Sequence, residues 1–202
     1  MGSMLILNGS PRAPRSNSKQ YAALFAGAWP GEVQSHSITR DNHLDLCARV
    51  GRCDHLLLVS PLYVDSLPVT LLHFLKTLEE HLPQHKPTVS VLINCGFLEP
   101  AQNDVAVKMV QCFCQNCGFP FGSSLKIGGG EAILTTPFRG LAHRKINRLA
   151  AAIAAGRHRQ LQVTMPLPKF LFLRASAAYW TAYGARRGIT REQMATMQIE
   201  DA

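Results

Sequence analysis

The sequence predicts an α/β fold: a doubly wound sheet of five parallel strands in the order 2-1-3-4-5, with helices on both faces. Three observations favour it. Short apolar runs alternate with helix-like segments over residues 4–157. The runs at residues 56–59 and 89–93 are apolar at almost every position, as in strands that are covered on both faces. A turn rich in hydrogen-bond donors follows the first run, and with right-handed crossovers it favours this strand order.

Each element is predicted from its own pattern. The strands are expected at residues 4–7, 33–38, 55–59, 88–93 and 121–127. Helices are expected at residues 17–29, 67–82, 101–117 and 141–157, with a brief helix at residues 45–50 that is capped near Asn42. In the second long helix, leucines recur at the spacing of one buried face: Leu71, Leu72, Leu75, Leu78 and Leu82.

Size and composition indicate a globular protein with one well-buried core. The chain has 202 residues, of which 47% are apolar. No apolar stretch is long enough to span a bilayer, and the first residues lack the pattern of a secretory signal, so a cytoplasmic location is expected. Six cysteines without an export signal indicate reduced thiols rather than disulfides.

The turn after the first strand has the features of a phosphate site. Asn8-Gly9-Ser10-Pro11-Arg12 follows the apolar run, and Ser16-Asn17-Ser18 opens the first helix. Hydroxyl and backbone N–H donors collect there, and the positive end of the helix dipole points into the same space. The candidate phosphate ligands are Ser10, Arg12, Ser16, Asn17 and Ser18. An ordinary strand–turn–helix junction with a Ser/Asn cap is the alternative.

Three further loops follow the third, fourth and fifth strands, at the edge where such folds bind ligands. Residues 60–68 contain two prolines and Tyr63, and residues 94–100 contain Gly96, where a planar ligand could approach backbone amides closely. Residues 128–131 form a Gly-Gly-Gly-Glu run. Taken alone, each loop is better explained by ordinary turn chemistry, and Asp65 is as consistent with a turn as with a substrate contact.

Together the four loops describe a pocket with a phosphate at one end and stiff walls for a flat heteroaromatic group at the other, which is the shape of FMN. The residues expected to border the isoalloxazine ring are Pro61, Leu62, Tyr63, Val64, Asn94, Cys95, Gly96 and Phe97. Backbone N–H groups near the ring would tune its electron affinity. No catalytic side chain is predicted, because the chemistry would take place on FMN and none of the eight histidines lies in a strong motif.

These segments resemble those of the flavodoxin-like NAD(P)H-dependent FMN reductases, a flavoprotein oxidoreductase family. The resemblance rests on residues 7–12 with 16–18, residues 60–68 and residues 94–97, in that order along the chain. It implies tightly bound FMN and NADH or NADPH as co-substrate. It also implies a small electron acceptor, such as a quinone, flavin, nitro or azo compound, and homodimers in which a neighbouring subunit helps to close the flavin site.

The cysteines depart from the iron–sulfur members of the wider family. Only Cys47 and Cys53 remain in the segment before the third strand, so no cluster is expected. Cys112, Cys114 and Cys117 have a spacing like that of metal ligands, but on a helix they do not share one face. Structural thiols are therefore favoured over ligands, and no metal site is predicted.

The last third of the chain is basic and aromatic. Residues 132–202 hold 11 Lys/Arg against 3 Asp/Glu, which is the whole of the formal charge of +8. The domain is therefore expected at residues 4–160, followed by a helical extension at residues 161–202. Its apolar segment, which includes Trp180, is expected to pack on the domain or on a sister subunit, in preference to a membrane surface.

The function predicted from these observations is hydride transfer from NAD(P)H through bound FMN to a small acceptor. Two alternatives stay open. One is a non-enzymatic FMN protein that carries electrons between partners. The other is a binding module without flavin that uses the basic segment to meet a membrane or a nucleic acid.

Overall fold

A computed structural model describes residues 2–12 and 16–196 of the chain. It divides into two compact units: the first ends at Met165 and the second begins at Pro166. All of the predicted site residues lie within the described ranges, and all of them belong to the first unit.

The first unit is built on one parallel sheet. Its strands are β1 (Met4–Asn8), β2 (Val33–Ser37), β3 (His55–Pro61), β4 (Thr88–Asn94), β5 (Phe121–Ile127) and β6 (Gln160–Val163). Their order is β2-β1-β3-β4-β5-β6, and every neighbouring pair is parallel. The predicted doubly wound order is confirmed, with one strand added beyond β5.

The sixth strand is the one correction to the predicted fold. Its four residues, Gln-Leu-Gln-Val, alternate polar and apolar, and three of them are not fully buried because β6 lies at the sheet edge. A short strand with one solvent-exposed face lacks the continuous apolar run that predicted the interior strands. It includes residues that the sequence assigned to the extension.

The helices of the first unit lie close to their predicted positions. They are α1 (Asn17–Ala28), α2 (His43–Val50), α3 (Val69–Glu80), α4 (Asp104–Cys117) and α5 (Arg139–Ala154). Asn42 is the N-cap of α2, as expected. A single 3₁₀ turn at Pro100–Asn103 precedes α4, since proline at the first position suits a helix start.

The core forms on both faces of the sheet. Leu5 and Leu7 of β1 lie beside Leu56 and Leu58 of β3, and this row packs with α2, α3 and α4 in one buried cluster. On the other side α1 packs against α5. Because successive side chains of a strand point to opposite faces, the interior strands must be apolar throughout, which explains the runs seen in the sequence.

The second unit contains α6 (Lys169–Ala185) and α7 (Arg191–Ala195). Tyr179, Trp180 and Tyr183 form an aromatic cluster on α6, and Arg187 lies 3.8 Å from the centre of the Tyr183 ring. A capping box at Thr190 starts α7. The packing predicted for this extension, the homodimer and the cytoplasmic location stay predictions.

Two further sequence-based expectations concern the cysteines and the membrane. All six cysteines are free thiols, and all but Cys112 are buried. Within residues 2–12 and 16–196, no helix combines the length and the apolar character that crossing a bilayer requires.

Candidate functional site

A cavity of about 680 Å³ lies at the carboxyl ends of β1, β3 and β4. Every residue that the sequence predicted for the site lines it, except Val64 and Phe97. Its size is within the range of about 300–1,000 Å³ that is typical of small-molecule sites. The parallel sheet brings these residues together, because all of its strands end at the same edge.

The turn after β1 presents one hydroxyl donor at the cavity. The Ser10 N–H donates to the Asn8 Oδ1 at 3.0 Å, and the Ser10 Oγ accepts from the Arg12 N–H at 3.4 Å. Since Ser10 accepts in that bond, its hydroxyl hydrogen is available to a ligand. The Asn8 Nδ2, one residue before this turn, is buried without a hydrogen-bond partner among the described residues, and Asn8 does not line the cavity.

The amino-terminal end of α1 forms the next wall. The Ser16 Oγ accepts from the Lys19 N–H at 3.1 Å, so this hydroxyl is the helix cap that the alternative interpretation proposed. The N–H groups of Asn17 and Ser18 have no acceptor among the described residues. No acidic side chain lies in the first turn of α1. The positive end of this helix is therefore left for an anion.

Asn94, only 3% exposed, connects β4 with α1, β3 and the loop after β3 at the cavity. Its Nδ2 donates to the Ser18 Oγ at 2.9 Å and to the Ser60 carbonyl at 3.0 Å. Its own carbonyl accepts from the Leu62 N–H at 2.7 Å. Because Ser18 accepts from the amide, its hydroxyl hydrogen is also available to a ligand.

The other end of the cavity is lined by half-buried Pro61, Leu62 and Tyr63 and by Gly96. The N–H groups of Leu62 and Tyr63 are already used, by the carbonyls of Asn94 and Ser66. Those of Gly96 and Phe97 have no acceptor among the residues that the structure describes. Backbone donors for a ring therefore come from the loop after β4 rather than from the loop after β3.

The glycine run after β5 packs between α1 and the loop after β4, next to the cavity. The buried Tyr21 hydroxyl donates to the Gly130 carbonyl at 2.7 Å, and the Gly130 N–H donates to the Cys95 carbonyl at 2.7 Å. A Cβ at residue 130 would lie 2.8 Å from the Asn94 Cβ, so no side chain fits there. The glycine at residue 130 is thus explained by close packing beside Asn94.

Val64 and Phe97 lie outside the cavity lining. Val64 is 96% exposed and, with Asp65, forms a tight turn in which both residues have positive φ angles, 47° and 54°. This turn carries the Val64 side chain into solvent, and Asp65 is its second residue. Phe97 is 54% exposed.

Four lining residues were not among the predicted ligands: Lys19, Gln20, Ala23 and Glu131. The first three lie on the first two turns of α1, where the sequence pattern resembles an ordinary helix surface. Glu131 follows the glycine run, and its carbonyl accepts from the Asn17 Nδ2 at 3.4 Å. The signal that could have identified the three residues on α1 is their three- to four-residue spacing from Ser16.

The electrostatics are mixed rather than strongly basic. Arg12 and Lys19 contribute positive charges, and Glu131 contributes one negative charge. Burial raises the pKa of the Cys95 thiol, and the Cys95 Sγ lies 3.6 Å from the Phe97 carbonyl, so this thiol stays protonated at neutral pH. The cavity thus offers neutral donors and two cations at one end and apolar and glycine surfaces at the other.

Comparison with solved structures identifies the class of fold. A NAD(P)H:quinone oxidoreductase from Methanothermobacter marburgensis has a TM-score of 0.62 and 13% identity, over 75% of this chain and 96% of that one. An FMN-dependent NADH-azoreductase from Bacillus anthracis str. Ames Ancestor, in complex with FMN, has a TM-score of 0.59 and 13% identity, over 76% and 100%. A flavodoxin from Streptococcus pneumoniae TIGR4 has a TM-score of 0.56 and 16% identity, over 76% and 98%.

The first unit therefore has a flavodoxin-like α/β fold, and the resemblance seen in the sequence is confirmed at the level of the fold. No protein-family model matches the chain, and no curated protein sequence matches it. At identities of this size a shared fold does not by itself define a reaction.

Proposed function

We propose that this protein is an FMN-dependent NAD(P)H oxidoreductase that acts on a small electron acceptor. The observation that carries the proposal is the single cavity in which the α1 amino terminus and the loops after β3 and β4 meet. When bound, FMN would accept a hydride from NAD(P)H and return electrons to a quinone, flavin, nitro or azo compound. The quinone and azo reductases that share the fold support this general kind of reaction.

The donors at the phosphate end fit a phosphate monoester. The hydroxyls of Ser10 and Ser18 are both set as donors, because each already accepts a hydrogen bond. The N–H groups of Asn17 and Ser18 and the Arg12 side chain would add backbone and charged donors.

The opposite end fits a flat ring. Pro61, Leu62 and Tyr63 would cover one side, and their backbone is held in place by the bond from the Leu62 N–H to Asn94. The free N–H groups of Gly96 and Phe97 would donate to ring heteroatoms. Tyr63, which is half-buried at the mouth, would shape the choice of acceptor.

The test is an absorption spectrum of the protein loaded with FMN, recorded without oxygen before and after addition of NADPH. A flavin spectrum that bleaches within the time of mixing supports the reductase. A protein that does not bind added FMN contradicts the proposal, and a flavin that neither NADPH nor NADH bleaches contradicts the reductase activity.

A non-enzymatic electron carrier is the second candidate, because a flavodoxin shares the fold at a similar TM-score. Slow reduction by NAD(P)H combined with fast reduction by a protein donor would favour this role.

A further inference from the structure

The second unit exposes an apolar surface that the proposed function does not use. Helix α6 has 17 residues, of which only Gly184 is buried. The exposed fraction is 67% at Phe170, 55% at Leu173 and 61% at Tyr179. Helices in proteins are stabilised mainly by packing of their apolar side chains, and α6 has little of this packing. A continuous exposed surface of this kind is typical of a site that meets a partner.

The aromatic side chains of α6 share one face. Tyr179, Trp180 and Tyr183 follow Phe172 by seven, eight and eleven residues, which places all four on one side of a helix. The rings of the last three are in contact, with centroids 5.2–6.2 Å apart. Arg174 lies on the opposite side. Tyrosine and tryptophan favour the boundary between water and lipid, because their rings are apolar and carry one polar group.

The charge along this part of the chain has one sign. Residues 132–191 hold 11 Lys/Arg and no Asp/Glu, and the three acidic residues of the last third all follow residue 191. Lys169 is the first residue of α6, and Arg186 and Arg187 follow its last residue. Arg187 lies 3.8 Å from the centre of the Tyr183 ring. Cations therefore flank the aromatic face at both ends of the helix.

This combination of apolar surface and positive charge distinguishes between partners. The sister subunit that the sequence predicts would bring an equally positive segment against the first, and like charges repel. A nucleic acid would attract the cations through its phosphates, but these offer no apolar surface to the exposed Leu171 and Leu173. An anionic lipid surface offers negative headgroups and an apolar interior together.

We propose that α6 and the basic residues at its two ends dock the protein on an anionic membrane surface. The aromatic face of α6 lies in the headgroup region, and Lys169, Arg186 and Arg187 lie beside anionic headgroups. A helix of 17 residues rises about 25 Å, less than the hydrocarbon core of about 30 Å, so the docked helix lies on the membrane. The proposal rests on the second unit and not on the proposed FMN chemistry.

Sedimentation of the full chain with lipid vesicles tests the docking. We expect binding to vesicles of phosphatidylcholine with about one third phosphatidylserine to be about tenfold or more stronger than to phosphatidylcholine alone, and to weaken as salt is added. The chain has two tryptophans, of which Trp29 is buried and Trp180 is exposed. Brominated acyl chains should therefore quench the emission of Trp180 in the bound protein and leave that of Trp29.

A charge variant measures the contribution of the cations. Arg186→Gln with Arg187→Gln should weaken binding to the anionic vesicles by about tenfold or more, because each basic residue near such a surface adds to the attraction. The matched control is Arg40→Gln with Lys76→Gln, which removes the same charge from exposed positions of the first unit. We expect this control to bind as the unaltered chain does.

An apolar variant measures the contribution of the aromatic face. Leu173→Ser with Tyr179→Ser should weaken vesicle binding by about tenfold or more and reduce the quenching of Trp180. The matched control is Leu44→Ser with Val69→Ser, which alters exposed apolar residues of the first unit. Thermal unfolding followed by circular dichroism shows whether each variant is folded, so that a loss of docking is separated from a loss of structure.

Four results would overturn the proposal. The first is the absence of binding to both kinds of vesicle. The second is an equal loss of binding in the Arg40/Lys76 control, and the third is unchanged binding in the folded Leu173/Tyr179 variant, since either would indicate general electrostatic attraction. The fourth is a dimer, measured by analytical ultracentrifugation, that the Leu173/Tyr179 variant dissociates and that does not bind vesicles, which would assign the aromatic face to a second copy.

Discussion

The Ser10 and Ser18 hydroxyls are set as donors at the cavity because neighbouring N–H groups already donate to their oxygens. Each hydroxyl accepts one hydrogen bond, from the Arg12 N–H and from the Asn94 amide respectively. Each is then left with a hydrogen to donate. Neutral donors that are fixed before the ligand arrives reduce the ordering cost of binding, which is why two hydroxyls and two helix N–H groups can suffice with few charges.

Removing donors at this end should weaken FMN binding. In Ser10→Ala with Arg12→Ala, we expect affinity to fall by about a hundredfold or more, because each charge-assisted bond contributes about 1.5–3 kcal/mol. Fluorescence titration with FMN measures the change. The control is Ser35→Ala with Arg52→Ala, both exposed and outside the cavity. Unchanged flavin affinity in the first variant would refute the assigned phosphate ligands.

Buried thiols should make the protein less stable at alkaline pH. Burial raises the pKa of Cys53 and of Cys114 to about 12. The folded chain then keeps protons that the unfolded chain releases from about pH 8.5 upward, so the free energy of unfolding falls as pH rises, by about 1.4 kcal/mol per pH unit for each thiol. Urea unfolding at several pH values measures this slope.

In Cys53→Ala with Cys114→Ala the alkaline slope should become shallower, while Cys112→Ala, which alters an exposed thiol on the same helix as Cys114, serves as the control. A slope that is the same in both variants would show that these two thiols do not cause it.

The loop after β3 contains a turn with a residue poorly suited to it. Val64 has a φ angle of 47°, where a β-branched side chain is strained, and hydrogen bonds between Tyr63 and Ser66 close the turn in both directions. Asparagine is favoured at this position of a two-residue turn. The strain is therefore local and can be removed without touching the cavity.

Val64→Asn should raise the free energy of unfolding by about 1 kcal/mol and leave FMN affinity unchanged. The control is Val105→Asn, an exposed valine within α4 whose change relieves no strain. Denaturant unfolding and flavin titration are the measurements. A clear loss of FMN affinity would instead support the sequence-based prediction that Val64 borders the ring.

The glycine run should be sensitive to the smallest side chain. Gly130→Ala would place a Cβ 2.8 Å from the Asn94 Cβ, so we expect about 1–3 kcal/mol of destabilisation and weaker FMN binding. Gly27→Ala on α1 meets open space and should instead stabilise by about 0.5–1 kcal/mol. If Gly130→Ala binds FMN as the unaltered protein does, the packing beside Asn94 does not shape the cavity.

For the whole molecule, strand order and the location of the cavity were predictable, because buried parallel strands leave apolar runs and their carboxyl ends share one edge. The short edge strand β6 was not predictable, since Val163 is its only fully buried residue and the strand has no apolar run. Lys19 and Gln20 were missed because a helix surface carries no loop signal. Val64 stays a predicted ring contact, although it lies outside the cavity lining, because its direction depends on a positive φ angle that valine rarely adopts and that the sequence does not reveal.

The central claim is that one cavity binds FMN with its phosphate at the start of α1. A crystal structure of the protein with FMN tests it most directly. The expected result is a phosphate within hydrogen-bond distance of the Asn17 and Ser18 N–H groups, with the ring beside Tyr63 and Gly96. A flavin bound elsewhere, or this cavity filled by the protein's own side chains, would contradict the claim.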